Sequence, residues 1–540
     1  MRWNNDFAQQ VVMCIFPRLG YNKVMKLVTV TEMRALEQAA DQQGCTYAQM
    51  MAQAGRGVAE WIQADAGSTP WPHVLGLVGT GNNGGDALVA LAHLARAGWQ
   101  SYAYLIQPRE SDPLVADLLS AGGQVAILPT DPDFAQLNAW LASSPIILDG
   151  LLGTGIRLPL RPDYARLLAH LRATSPAPDV IAVDCPSGVD SETGAAAPET
   201  LPARATICME AVKAGLIYPP AAAIAGQLIT VPLGLPAHLA CPRELVDAAR
   251  VSATLPPRPP EAHKGTFGTA LIAAGSVCYT GAAYFAAAAA YRSGAGLVTL
   301  AAPLPLHTAL AGVLPEVTWL PLPDTDGWIA ARAAPLLQNH LSRATALLLG
   351  PGWGQSAETA KFMDDLLATP TLPPLVLDAD GLRLLARHAD WLHRLPPLTI
   401  LTPHPGEMAA LTGLTTSQVQ SDRWGLAARC AADWGHIVVL KGAYTVIAAP
   451  DGRSAVIPVA TPALARAGTG DVLAGLIAGL LAQGTPPYDA VLAAAWIHAQ
   501  AGLLAAARQG QSASVLASDV LAAIPAVLSD LLQPENSSIR

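Results

Sequence analysis

The run Ala467-Gly468-Thr469-Gly470-Asp471 leads directly into the apolar stretch VLAGLIAGLLAQG, which places a carboxylate at the start of a long helix. Unpaired backbone N–H groups and the dipole at such an end favour an anion by roughly 0.3 to 2 kcal/mol each. A fixed acid would repel phosphate from that spot unless it takes a proton from an attacking hydroxyl. A well-placed general base contributes about 10²- to 10⁴-fold. The alternative is an aspartate that only caps the helix, but the Gly-Thr-Gly run is longer than a cap requires. Three more glycine-rich turns carry acids. GTGNNGGDALVALAHLARAG offers Asn82, Asn83 and Asp86, ILDGLLGTGIRLP offers Asp149, and VIAVDCPSGVDSETG offers Asp184 ahead of Pro186-Ser187-Gly188. Helix capping could occupy any one of these residues; polar side chains grouped at three strand ends supply more ligands than connections need.

The elements that must carry these turns alternate. Apolar runs at HVLGLVG, QSYAYLI, QVAIL, PIILD and VIAVD are separated by helical patterns, which predicts a parallel sheet covered on both faces. In a doubly wound sheet the carboxyl ends of such strands open onto one crevice. The alternation lapses in LPPRPPEAHKG, where fixed φ angles and missing donors exclude a helix or a central strand. It then restarts at TALIAAG, GLVTLAA, ALLLG, LVLDAD, LTILTP and HIVVLKG and ends in Ala- and Leu-rich helices. The expected organisation is an N-terminal extension over 1–25, an α/β domain of Rossmann-like type over 26–235, a proline-rich linker over 236–260, a second α/β domain over 261–532 and a tail over 533–540.

At 540 residues, 51% hydrophobic and 14% charged, the chain has material for two large cores and is not a disordered polymer. Its net charge of -9 provides no global basic field for nucleic acid or an anionic membrane. Cys14, Cys45, Cys185, Cys208, Cys241, Cys278 and Cys430 form no C-x-x-C pair and read as reduced core thiols. Val491 to Ala507 is about a membrane span long, yet His498 and Gln500 near its middle favour a buried helix. The first residues lack a small-residue cleavage site after an apolar core. Cytoplasmic location and association into a homo-oligomer are the expectations.

NNGGD, DGLLGTG and VDCPSGVD in this order, with LVTVTEMRALEQAA ahead of them, resemble the NAD(P)H-hydrate epimerase family over roughly Lys26 to Pro236. The resemblance implies that Asn82, Asn83, Gly84, Gly85 and Asp86, the loop Gly153, Thr154, Gly155, Ile156, Arg157, Leu158 and Pro159, and Asp184 hold a hydrated nicotinamide nucleotide, with Asp184 catalytic. It also implies a potassium ion on Asn83, Asp149 and Ser187. Hard oxygen ligands of low total charge suit a large monovalent cation better than zinc. The sequence departs from the family pattern at Ala87 and at MMAQAGRG, and the second departure bears on an early helix contact.

HKGTFG, GSVCYTGAAYF, LGPGWG, LDADGL, TPHPGEMAAL and LKGAYTVI, together with AGTGD, resemble the ADP-dependent NAD(P)H-hydrate dehydratase family, which has a ribokinase-like fold, from about Pro259 to Leu532. The resemblance implies that Ala282, Gly354, His404 and Asp471 face the hydrate, while Lys441, Gly442, Ala443, Tyr444, Thr445 and Gly470 hold the adenine nucleotide. Asp471 is then the base, ADP the phosphoryl donor with Mg2+, and NADHX and NADPHX the substrates. Trp353, in GPGWG, either stacks on a ring or fills a gap. Two rivals share these residues: a kinase for a small hydroxylated substrate fused to a non-catalytic nucleotide-binding module, and a first domain that binds without catalysis.

Overall fold

The computed structural model describes residues 25–67, 72–143, 146–236, 238–239 and 243–532. These form two compact units that divide between Glu244 and Leu245. The extension, the tail, Cys14 and Cys241 lie outside the described residues.

The N-terminal unit contains β1 (Lys26–Val28), β2 (His73–Val78), β3 (Gln100–Leu105), β4 (Gln124–Ile127), β5 (Ile146–Gly150), β6 (Asp179–Val183), β7 (Ala205–Met209), β8 (Val212–Lys213) and β9 (Gln227–Val231), and the division falls within β10 (Arg243–Leu245). Seven of them form one sheet in the order β4-β3-β2-β5-β6-β7-β9, parallel throughout. Side chains alternate across it. Val74, Val78, Leu148 and Ile181 feed the core on one face, while Leu75, Leu77, Ile147 and Val180 feed the other. Burial on both faces is why these strands read as continuous apolar runs. The chain reverses its direction of growth at β2, between β3 and β5, and this is the point at which a doubly wound sheet opens a crevice.

The C-terminal unit contains β11 (Thr269–Ala273), β12 (Leu297–Pro303), β13 (Thr318–Leu322), β14 (Asp324–Thr325), β15 (Trp328–Ile329), β16 (Ala346–Leu349), β17 (Leu375–Leu377), β18 (Ile400–Leu401), β19 (Ile437–Leu440), β20 (Val446–Ala448) and β21 (Ser454–Val456). Its sheet runs β13-β12-β11-β16-β17-β18-β19-β20-β21, parallel as far as β19 and antiparallel for the last two pairings. This is the α/β class expected for this half. Helices Thr280–Arg292 and Thr469–Ala482 cross at glycines. A Cβ on Gly475 would overlap the carbonyl of Ala286, and one on Gly479 would lie 2.5 Å from the carbonyl of Ala290. The helix Pro487–Gln509 is long and apolar enough to cross a membrane, and most of it is buried within this unit. LPPRPPE carries neither helix nor strand, but the residues just before it belong to the fold: Ala248–Ser252 is helical, and Val246 N–H donates to Val456 O at 3.0 Å. Not all thiols are core. Cys185, Cys208 and Cys430 are buried, whereas Cys45 is partly exposed and Cys278 exposed.

Candidate active sites

Asn82–Arg96 is helical from its first residue, so the NNGGD run occupies the opening turns of the helix and not the loop before it. Its glycines serve close approach. A Cβ on Gly84 would overlap the carbonyl of Gly79, and one on Gly85 would lie 2.7 Å from Met51 Sδ. Met51 lies on the helix Tyr47–Ala66, so the atypical MMAQAGRG segment still makes the early helix contact.

Asp149 is the next-to-last residue of β5 and is fully buried. Its Oδ1 accepts the Ser187 hydroxyl at 2.5 Å and Leu151 N–H at 3.3 Å, and its Oδ2 accepts Ser187 N–H at 2.8 Å. Ser187 Oγ accepts Leu152 N–H at 2.8 Å, and Asn83 Nδ2 donates to Leu152 O at 2.9 Å. Three separated sequence segments thus meet around one carboxylate. Burial lifts the Asp149 carboxyl above the usual range, and hydrogen bonds from Ser187 and Leu151 only partly offset this. Gly153 packs beside Asn83, with its Cβ position 3.3 Å from Asn83 Cβ. Gly155, Arg157, Leu158 and Pro159 are exposed, and Thr154 and Ile156 half-buried, so the loop forms a rim.

Asp184 follows β6 with φ +64°, a conformation rare outside glycine and costly unless the surroundings enforce it. Met209 N–H donates to its Oδ1 at 3.0 Å, the Lys213 ammonium donates to the same oxygen, and that ammonium also bonds Met209 O at 3.0 Å. Lys213 is 1% exposed. Burial disfavours its charge, but Asp184 and other neighbours outweigh that and hold it protonated. Asp86 is pushed well above the usual carboxyl range, by burial first and then by Asp184 and Glu37. Glu37 is raised chiefly by burial. Asp184 contacts this buried lysine, and Asp86 and Glu37 feel the charge of both. Lys213 and Glu37 were not among the sequence candidates, although a lone lysine in the apolar run ICMEAVKAG was a signal.

In the C-terminal unit Asp471 lies in the first turn of Thr469–Ala482. Its carboxyl is raised to about 7, by burial first and then by Asp378, against the pull of Lys441. Lys441 Nζ bonds Asp378 Oδ1 at 2.5 Å and stands 3.8 Å from Glu407 Oε2. A Cβ on Gly470 would lie 3.7 Å from that ammonium. Thr402 Oγ1 fixes Asp378 Oδ1 at 2.6 Å. His404 caps its helix: Nδ1 accepts Gly406 N–H at 3.0 Å and Glu407 N–H at 3.2 Å, while Nε2 stands 3.2 Å from Glu407 Oε1. Burial and then Lys441 lower the His404 pKa, and burial raises that of Glu407. Both groups of this close contact are thus pushed toward their neutral forms.

Gly354 N–H donates to Asp380 Oδ2 at 2.8 Å, and Asp380 is near enough to Asp471 to help raise it. Ala282 Cβ lies 2.7 Å from where a Cβ on Gly352 would stand. Gly442 has φ +144°, and a Cβ there would lie 3.1 Å from the guanidinium of Arg423. Thr445 Oγ1 closes the Lys441–Thr445 turn on Gly442 O at 2.9 Å. Tyr444 in that turn has φ +54°, and Ala443 is exposed. Asp378, Asp380 and Glu407 were not sequence candidates, though the strand-end run LDADGL displays two of them. Trp353 is a gap filler: it is wholly buried, its Nε1–H donates to Ala273 O at 2.9 Å, and its ring meets Phe362 edge-on.

Residues 47–215 match the profile of a family described as YjeF-related protein N-terminus, and residues 270–526 match that of NAD(P)H-hydrate dehydratase. A bifunctional NAD(P)H-hydrate repair enzyme of Salinibacter ruber is 39% identical over 509 residues, covering 89% of this chain and 92% of the relative. The chain belongs to the bifunctional NAD(P)H-hydrate repair enzyme family. The family member of Escherichia coli is 33% identical, covering 93% of this chain and 94% of that one. Among solved structures, an ADP/ATP-dependent NAD(P)H-hydrate dehydratase of Bacillus subtilis, co-crystallised with ATP and Mg2+, is 34% identical, with a TM-score of 0.47 and coverage of 53% of this chain and 98% of that one.

Proposed function

We propose that this chain repairs hydrated NADH and NADPH in two steps, epimerising R- and S-NAD(P)HX in the N-terminal unit and dehydrating S-NAD(P)HX with ADP in the C-terminal unit. The observation that carries the reading is Asp471: a carboxyl raised to about 7 at the first turn of an apolar helix, facing a lysine held by two other carboxylates. A base that titrates near working pH is both deprotonated in useful amount and basic enough to pull a proton. Asp471 takes the proton of the C6 hydroxyl as its oxygen attacks the terminal phosphorus of ADP. The backbone N–H of Gly470 at the helix start and the Lys441 ammonium receive the phosphate charge. AMP leaves, and phosphate departs from C6 as C5 loses a proton, which restores the dihydropyridine. Lys441 to Thr445 and Gly470 hold the adenine nucleotide, while Ala282, Gly354 and His404 line the hydrate side. Among the described residues no His, Cys, Asp and Glu side chains group into a ready-made metal cage. An Mg2+ ion arriving with ADP would thus take most of its ligands from phosphate and water.

In the N-terminal unit Asp184, held by Met209 N–H and Lys213, takes the C6 hydroxyl proton as the C6–N1 bond opens to an aldehyde and the electron pair passes to N1 and its conjugated carboxamide; N1 re-adds to the other face of the aldehyde and the oxygen takes the proton back, which inverts C6. Asn82 to Asp86 and Gly153 to Pro159 bind the nucleotide. Potassium fits the donor set at Asp149: one fully buried carboxylate, the Ser187 hydroxyl and the Asn83 amide are all hard and carry about one negative charge. No cationic side chain offsets that carboxylate among the causes of its raised pKa. The ion's role would be to neutralise Asp149 beside an anionic nucleotide. The free thiols agree with a cytoplasmic setting.

The test is recovery of reduced-nicotinamide absorbance from NADHX with ADP, ATP or no nucleotide. Nucleotide-dependent recovery, extending to the R epimer, is the expected result. No recovery with either nucleotide refutes the reading.

A further inference from the structure

The β14–β15 hairpin brings an aromatic edge to the dehydratase site. Its turn is shaped by Asp326 and Gly327, with φ of +53° and +79°, and Gly327 N–H donates to Asp324 Oδ2 at 2.9 Å. The hairpin is clamped to the segment after β11: Val277 N–H donates to Gly327 O at 2.9 Å, and a Cβ on Gly327 would lie 2.5 Å from Val277 Cβ. Trp328, directly after the turn, lays the edge of its six-membered ring on Gly354, where a Cβ would overlap Cζ3 and stand 2.7 Å from Cε3. Gly354 also has φ +68°, so both backbone and indole demand glycine. Gly352 does the same for Tyr279, whose Cβ lies 2.9 Å from the Cβ position of that glycine. The Tyr279 and Trp328 rings meet edge-on, with centroids 6.3 Å apart.

Two facts tie this edge to the chemistry. Gly354, beneath the indole, donates its N–H to Asp380 at 2.8 Å, and Asp380 acts on Asp471. Ala282 packs against Gly352 from the other side. Yet the edge is open: Tyr279 is 51% and Val277 49% exposed, and Trp328 is half-buried. An apolar and aromatic rim left partly in water, and joined through Gly354 to Asp380, suits a flat ligand that covers it.

We propose that Trp328 and Tyr279 form the wall that receives the nicotinamide-derived ring of the hydrate, with its C6 hydroxyl turned toward Asp471. This rests on the dehydratase reading above and adds the residues that recognise the ring rather than the adenine nucleotide. In the hydrate, C5 and C6 are tetrahedral, but N1, C2, C3 and the carboxamide remain one planar conjugated group. Conjugation draws electron density from N1 to the carboxamide oxygen and leaves N1 partly positive. An indole face, negative at its centre, attracts such a group as well as covering it. ADP presents its phosphates at the helix start and makes no use of this wall.

The test uses the full chain with Trp328→Ala, Trp328→Phe and Tyr279→Ala. Initial rates are measured with S-NADHX varied at saturating ADP and with ADP varied at saturating hydrate. Trp328→Ala is expected to raise KM for the hydrate about tenfold or more, and Trp328→Phe by a few-fold, with KM for ADP unchanged within about twofold. A second readout needs no turnover: NADH, the product, quenches indole emission by energy transfer, and Trp328→Phe loses part of that quench. If Trp328→Ala fails to fold, the other two variants and the quench decide. An unchanged hydrate KM and an unchanged quench in active Trp328→Phe and Tyr279→Ala proteins overturn the wall, as does an equal rise in both KM values. Wild-type protein that gives no nucleotide-dependent recovery refutes the dehydratase reading instead, and the quench then decides on the wall alone.

Discussion

Replacing Asp471 by Asn should abolish ADP-dependent dehydration and at the same time stabilise the C-terminal unit in a pH-dependent way. The wild-type carboxyl titrates at about 7 in the fold against an ordinary 3.8. Burial and the Asp378 carboxylate therefore disfavour its charged form by at most about 4 kcal/mol, at 1.36 kcal/mol per pH unit. The sign follows from linkage. Below the unfolded pKa both states hold the proton and there is no penalty; as pH rises the unfolded chain ionises first, and stability falls until the folded carboxyl ionises too. Asn, neutral at every pH, bears none of this. Urea unfolding of wild type and Asp471→Asn across the pH range should give similar stability near pH 4. The variant should then gain steadily and reach a plateau above about 7. The same titration predicts that kcat/KM for wild-type dehydration rises about tenfold per pH unit below about 7 and levels above it. A stability difference that does not change with pH, or an Asn variant that stays active, refutes the assignment of Asp471 as a buried base.

Lys213→Met should stop epimerisation and leave dehydration intact. It should also destabilise the N-terminal unit by about 3 to 5 kcal/mol, since Asp184 loses its buried partner; epimer ratios by chromatography and denaturant unfolding check both. Asp184→Asn should leave the R epimer unrepaired except by slow spontaneous interconversion, and rapid full repair of a mixture contradicts its role. Asp149→Ala should remove any dependence of epimerisation on potassium over a bulky organic cation and weaken nucleotide binding. It leaves the Ser187 N–H and hydroxyl without their acceptor, at about 1 to 3 kcal/mol.

The strands of the crevice were readable because a parallel strand buried on both faces is a continuous apolar run: HVLGLV is β2, QSYAYL is β3, and IILD opens β5. β7 and β9 were not readable. ATICM merges with the apolar EAVKAGLI that follows it, and QLITV is only half-buried at the sheet edge. Acids at strand ends were equally visible, since Asp149, Asp184 and Asp471 announce themselves by the glycines around them. Their partners were not. Lys213 meets Asp184 across 29 residues and Lys441 meets Asp378 across 63, and no local pattern encodes such pairings. Trp353 and Trp328 make the same point in opposite directions: the one embedded in a motif fills the core, while the one in an unremarked hairpin lies half-exposed against Gly354.

The crossing of Thr280–Arg292 with Thr469–Ala482 is made by backbone against backbone, with Gly475 and Gly479 seated on the carbonyls of Ala286 and Ala290. Ala282 and Asp471 therefore ride on a single welded piece, and no rotamer intervenes between them. Warming frees side chains long before it parts helices in atomic contact. The reach from Asp471 to the surface beside Ala282 should consequently hold nearly constant up to the temperature at which this unit melts. Any opening that admits substrate must come from elements outside this pair of helices.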